Sequence, residues 1–148
     1  LHGGLYHQVA HDLVLANAVC AALAATWPSL RLVLPCAAPA ITVALQHGLP
    51  VAREAFLDRA YADDGTLVPR SEPGSVLTEP DEIATRAVQL VREKRLQARS
   101  GRELAIVSDT LCVHGDGPAA VAILRAVRHA LDEAGVQIQP HRPHRRSS

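Results

Sequence analysis

AIVSDTLCVHGDGPAAV, residues 105–121, is the stretch that decides the fold class. An apolar, β-type run passes into His114, Gly115, Asp116 and Gly117, and helical periodicity begins directly afterwards. A strand that hands over to a helix through an imidazole, a glycine and a carboxylate puts both titratable groups at the C-terminal edge of a sheet. Free N–H groups of a helix N-terminus lie beside them there. Ligands of α/β proteins gather at that edge. Two other readings stand beside this one. Asp116 could cap a helix over residues 117–135, with Pro118 in its first turn. Alternatively, Gly115, Gly117 and Ala120 match a G-x-G-x-x-A dinucleotide fingerprint. That fingerprint wants an acidic residue at the end of the next strand, whereas residues 136–139 run into Pro140 and His141, and Asp132 and Glu133 fall inside the helix.

Strand and helix patterns alternate outward from this segment. Residues 80–98 give the clearest helix, with Pro80 at its start, Asp81 and Glu82 in its first turn, and Ile83, Ala87, Val88 and Val91 at helical spacing. Arg92, Lys94, Arg95 and Arg99 complement the dipole at its end, and Gly101 stops it. Residues 104–113 supply strands, and Val121, Leu124, Val127 and Leu131 form the buried stripe expected of the last helix. Upstream, residues 10–26 read as one Ala- and Leu-rich helix ended by Trp27 and Pro28. Residues 30–34 read as a strand closed by Pro35, residues 40–47 as a short helix ended by Gly48, and residues 50–56 as an extended run. A polar loop with an Asp63-Asp64-Gly65 turn follows. The alternation predicts an α/β fold with a mostly parallel sheet, built as a single domain over residues 1–140. The basic end, residues 141–148, reads as a disordered tail.

Bulk properties narrow the function. The chain has 148 residues, enough for a real core, and its 15 basic and 15 acidic residues cancel, so no overall field draws it to nucleic acid or a membrane. Cys20, Cys36 and Cys112 are an odd set without C-x-x-C spacing, which argues against a disulfide framework or a cysteine zinc site and for a reducing, cytoplasmic setting. No apolar run reaches membrane-spanning length. Neither a Walker phosphate loop, a G-x-S-x-G elbow nor an H-E-x-x-H pair occurs.

Three segments carry candidate chemistry. LHGGLY at the start places His2 before two glycines and Tyr6, a pattern that allows a ligand close to the backbone and a hydroxyl to orient it. His7 and His11 have the i, i+4 spacing of zinc ligands but no third ligand nearby in sequence, so an exposed pair is expected. After the residue 50–56 run, Glu54, Asp58, Arg59, Tyr61 and Arg70 could grip a carboxylate or phosphate, or instead form an internal ion-pair network that pins the loop. His114 and Asp116 complete the set.

Taken in order, these segments resemble the family of the 5-oxoprolinase A subunit, also known as LamB/YcsF. LHGGLY resembles the family's K-P-H-G-x-L-Y. REAFLDRAYADDGTLVPRSEPGSVL is similar to its E-x-F-A-D-R-x-Y-x-x-D-G-x-L-x-x-R-x-x-x-G-A stretch, and TLCVHGDGPAAV to its C-x-H-G-D segment. Leu1 stands where the family has proline, His7 where it usually has asparagine and Leu57 where it has alanine, while Ala37 and Ala38 occupy a loop that tends to carry glycine and serine.

The resemblance implies the C-terminal part of an irregular (β/α) barrel of the glycoside hydrolase/deacetylase type. It also implies an ATP-dependent 5-oxoprolinase that opens the lactam of 5-oxo-L-proline to L-glutamate, with ATP as co-substrate together with Mg, in company with subunits B and C. A lactam is a poor electrophile, so such a site needs proton carriers and anion-holding cations. His114, Asp116 and His2 are the candidate acid/base groups. Arg59 and Arg70 are the candidate anion clamps, with Glu54, Asp58, Tyr61 and Tyr6 as further binding groups. Alternatives are a metal-dependent deacetylase-like hydrolase using His2, His114 and Asp116 as ligands, and a fragment without activity. Relatives carry acidic and histidine-containing segments ahead of K-P-H-G, and the chain has no Met, so a truncated start and inactivity of these residues alone are expected.

Overall fold

The computed structural model describes residue 1 and residues 3–140, and the backbone gathers into two compact units, Leu1–Glu54 and Ala55–Gln139. His2 and the tail of residues 141–148 lie outside the described residues.

In the first unit α1 (Gly3–His11) and α2 (Leu13–Thr26) meet at a bend of 107°, where one helix over residues 10–26 was expected. The cause is Asp12. Its backbone is extended, with φ −88° and ψ 103°, and its carboxylate accepts the N–H groups of Val14 and Leu15 at 2.9 and 3.0 Å. An Asp that satisfies two N–H groups at the start of a helix stabilises that start by about 1 kcal/mol, which outweighs the small propensity gain of running one helix through it. β1 (Leu32–Pro35), α3 (Ala40–Gln46) and β2 (Val51–Phe56) follow. β1 and β2 pair in parallel with Leu32 opposite Val51 and Pro35 opposite Glu54, the parallel arrangement that the alternation predicts. Val9, Ala10, Ala16, Cys20, Leu34 and Ala44 are fully buried in this unit's core.

The second unit holds α4 (Pro80–Glu93), β3 (Arg95–Gln97), β4 (Glu103–Ala105), β5 (Thr110–Cys112) and α5 (Ala120–Glu133). The strand order is β1-β2-β5 in a three-stranded sheet, with β3 and β4 as a separate antiparallel pair. The helix expected over residues 80–98 stops at Glu93 because Lys94 turns left-handed, with φ 55° and ψ 38°, and releases residues 95–97 to pair with β4. Gly101, with φ +91°, closes that hairpin where sequence placed only a helix stop. Ile83, Ala87 and Leu90 of α4 are buried, as are Ile123, Val127 and Leu131 of α5. The expected α5 stripe is therefore rotated, and Val121 and Leu124 are exposed. Residues 136–139 form no strand, so the dinucleotide fingerprint lacks the element it requires.

The segment after β2 is folded rather than a free polar loop. Ala60 donates to Ser75, Val68 to Ala60, and Leu77 to Asp58, while Arg59 bridges Val76 and Tyr61 bridges Leu67. The Asp63–Gly65 turn forms as expected, with Gly65 at φ +83° and Asp64 accepting from the Thr66 N–H and hydroxyl.

Candidate functional site

The end of β2 and the end of β5 meet where the Leu57 N–H donates to the Cys112 carbonyl at 2.9 Å, and this junction brings Asp58 beside His114. Asp58 Oδ2 accepts the His114 backbone N–H at 2.8 Å, and His114 Nδ1 lies 3.0 Å from both carboxylate oxygens. Phe56, the only phenylalanine of the chain, lies nearly flat on the imidazole, with centroids 5.4 Å apart and planes 19° apart. Asp58 is 4% exposed, whereas the His114 side chain keeps 27% of its surface open. The carboxylate is thus the buried anchor and the imidazole the group that reaches outward. An ionised carboxylate only accepts hydrogen bonds, so Nδ1 carries the ring hydrogen and Nε2 is left with the lone pair. That tautomer can take up a proton at Nε2.

Asp116 does not cap α5. The residue at the helix N-cap is Ala119, which makes no side-chain capping bond, and Asp116 Oδ2 instead accepts from Arg70 Nη1 at 2.8 Å. The Arg70 hydrogen bond is the largest cause that holds the Asp116 carboxyl below the usual aspartate range, followed by its own backbone N–H and the Arg70 charge. Both side chains are about half open to solvent or more. The Asp116 carboxylate is thus held by Arg70 and not by the start of α5.

The two arginines that sequence treated alike differ. Arg59 is 4% exposed, and its Nε and Nη2 donate to the carbonyls of Ser75 and Val68 at 3.1 and 2.6 Å. Burial pushes its guanidinium down from the ordinary value, the nearby Arg70 charge adds to this, and Asp58 opposes it. Arg59 therefore fastens the residue 66–77 segment, in keeping with the internal-network reading, and Arg70 is the arginine that stands open. Tyr61 is buried, and its hydroxyl accepts the Phe56 N–H at 2.8 Å.

Tyr6 and Glu54 lie in the first unit, where the Tyr6 hydroxyl donates to Glu54 Oε2 at 2.7 Å. Among the described residues no group of three or more His, Cys, Asp and Glu side chains is placed to hold a metal ion. Arg86 on α4 is a site neighbour that the sequence pattern does not single out: its Nη2 donates to the Arg59 carbonyl at 3.0 Å. A lone arginine in a helical run gives no signal of its own, since its inward direction depends on how α4 packs.

A family model described as LamB/YcsF family matches residues 1–146. The chain is 46% identical over 139 residues to the 5-oxoprolinase A subunit of Paracidovorax citrulli, covering 94% of this chain and 55% of that protein. It is 44% identical over 138 residues to the 5-oxoprolinase A subunit of Thermus thermophilus, covering 93% and 55%. The crystal structure of the lactam utilization protein from Thermus thermophilus superposes with a TM-score of 0.85 at 43% identity, over 93% of this chain and 55% of that one. The chain thus spans about half the length of the curated relatives it matches, and the motifs at its start, at Asp58 to Arg70 and at His114 to Asp116 fall within the matched residues. By sequence match and by fold, this chain belongs to the LamB/YcsF family.

Proposed function

We infer that these residues form part of the A subunit of a 5-oxoprolinase, a portion of an irregular (β/α) barrel that opens the lactam of 5-oxo-L-proline to L-glutamate. In this reading ATP, supplied with Mg, is consumed as a substrate to ADP and phosphate, subunits B and C take part, and the setting is the cytoplasm. The names of the relatives support the substrate class, and one geometric observation supports the chemistry: Asp58 anchors Nδ1 of His114 and leaves Nε2 to exchange protons.

Phosphorylating the lactam oxygen makes the ring carbon electrophilic. Water then needs a base as it adds, the ring nitrogen needs a proton as the C–N bond breaks, and a second water must hydrolyse the acyl phosphate so formed to release glutamate and phosphate. In this reading His114 Nε2 makes the first transfer and, once protonated, the second. Arg70 is the cation on hand for the substrate carboxylate or the phosphoryl group, because its present partner, Asp116, is exposed and exchangeable.

The test is lactam-dependent phosphate release and glutamate formation by the gene product that contains this sequence, mixed with subunits B and C. Activity that needs ATP and falls by at least about a hundredfold in His114→Ala is the expected result. Stoichiometric zinc with nucleotide-independent hydrolysis would overturn it in favour of a metal-dependent hydrolase.

A further inference from the structure

We propose that Arg86 and Tyr61 are positioning residues for His114, acting through Phe56, so that the imidazole is held on its face as firmly as Asp58 holds its edge. The proposal rests on the reading of His114 as the working imidazole. All of these residues lie in the second unit.

Three contacts connect in series. The Arg86 guanidinium sits over the Tyr61 ring with its carbon 5.5 Å from the centroid. The Tyr61 hydroxyl accepts the Phe56 N–H at 2.8 Å, a buried bond five residues along the chain. The Phe56 ring then stacks on His114. Phe56 is the last residue of β2, and the Tyr61 hydroxyl supplies the acceptor for its backbone N–H.

What sets Arg86 apart from a packing residue is what it leaves unmet. Its Nε is buried with no hydrogen-bond partner among the described residues, and its Nη2 donates to the Arg59 carbonyl. A buried, unpaired donor costs stability that a methionine or leucine at the same place would not incur. With its carbon over the Tyr61 ring, the guanidinium braces that ring and, with it, the hydroxyl that accepts the Phe56 N–H. Burial pushes the Arg86 guanidinium down, and Tyr61, Glu82 and Asp58 offset part of that shift.

Tyr61→Phe removes the hydroxyl and keeps the ring, Arg86→Met removes the cation at similar length, and Arg86→Lys restores a charge. In the complete protein with its partner subunits, Tyr61→Phe and Arg86→Met should each lower kcat by about tenfold to a hundredfold, the scale of a small misplacement at a reacting group, with KM little changed. Arg86→Lys should recover part of that loss. In parallel, nitrogen-detected NMR of the His114 ring should read a single Nδ1–H tautomer in the parent and averaged, broadened ring signals in Tyr61→Phe. Unaltered His114 ring signals and kcat in folded Tyr61→Phe and Arg86→Met would overturn the proposal. His114→Ala with full activity would overturn the reading beneath it, and the ring signals would still report separately on whether Tyr61 and Arg86 hold the imidazole.

Discussion

Asp58 grips His114 at two separate groups, the backbone N–H at 2.8 Å and the ring Nδ1 at 3.0 Å, from a carboxylate that is itself 4% exposed. A buried carboxylate is tolerated because these bonds and the neighbouring guanidiniums of Arg59 and Arg86 offset its lost hydration. Asp58→Asn keeps the shape but turns half of the acceptor into a donor facing two donors. It should cost about 1–3 kcal/mol of stability and lower kcat by roughly a hundredfold or more. Thermal melting and steady-state kinetics on the same preparation measure both, and a variant with normal kcat would remove Asp58 from the imidazole's control.

The Arg70–Asp116 pair makes a pH prediction with a definite sign. Its hydrogen bond to Arg70 lowers the Asp116 carboxyl on folding. A carboxyl lowered on folding adds its stabilising contribution above the unfolded value and loses it as pH falls through the folded value, so the pair persists into acid below the ordinary aspartate range. NMR titration of the Asp116 carboxyl should place its midpoint below that range, and Arg70→Gln should move it upward. An unmoved midpoint would mean that Arg70 does not set it.

Residues 105–121 made the fold class readable, because a β-type run and a helical stripe leave different periods in sequence. Pro80, Asp81 and Glu82 likewise marked the start of α4 where it occurs. Other features were not local. Asp12 is a plausible mid-helix residue until its carboxylate is seen on two N–H groups, and the rotation of the α5 stripe depends on which face the neighbouring elements cover. At the site, His114, Asp58 and Arg70 could be named as candidates, but the pairing of residue 58 with 114 spans 56 positions and follows from the strand order β1-β2-β5. No spacing rule reaches that far.

Lys94 offers a test of the fold that leaves the site alone. It ends α4 in a left-handed conformation that disfavours a side chain. Lys94→Gly should raise stability by about 0.5–1 kcal/mol, seen as a higher Tm, with kcat and KM unchanged. Lys94→Val should lower Tm, since a β-branched side chain tolerates that conformation least.

Arg59 and Arg70 are the sharpest contrast, because sequence offered both as anion clamps and their surroundings divide the roles. Arg59 donates from Nε and Nη2 to two carbonyls inside the residue 66–77 segment, and an ammonium at the end of a lysine cannot span both directions at once. Arg59→Lys should therefore lose at least one charge-assisted bond and leave a buried carbonyl unpaired, a loss of about 2–4 kcal/mol. Because that segment also carries Arg70 and lies beside Asp58, some loss of turnover per folded molecule should accompany the fall in Tm. Arg70 is half exposed, and its bond to Asp116 is a surface pair worth little to the fold. Arg70→Lys should leave Tm nearly unchanged and raise KM for the anionic substrate, since a point charge replaces a planar fork. Melting curves and KM measured for the two variants side by side decide the matter. A large Tm loss in Arg70→Lys with an unchanged KM, together with the opposite pattern in Arg59→Lys, would exchange their assignments.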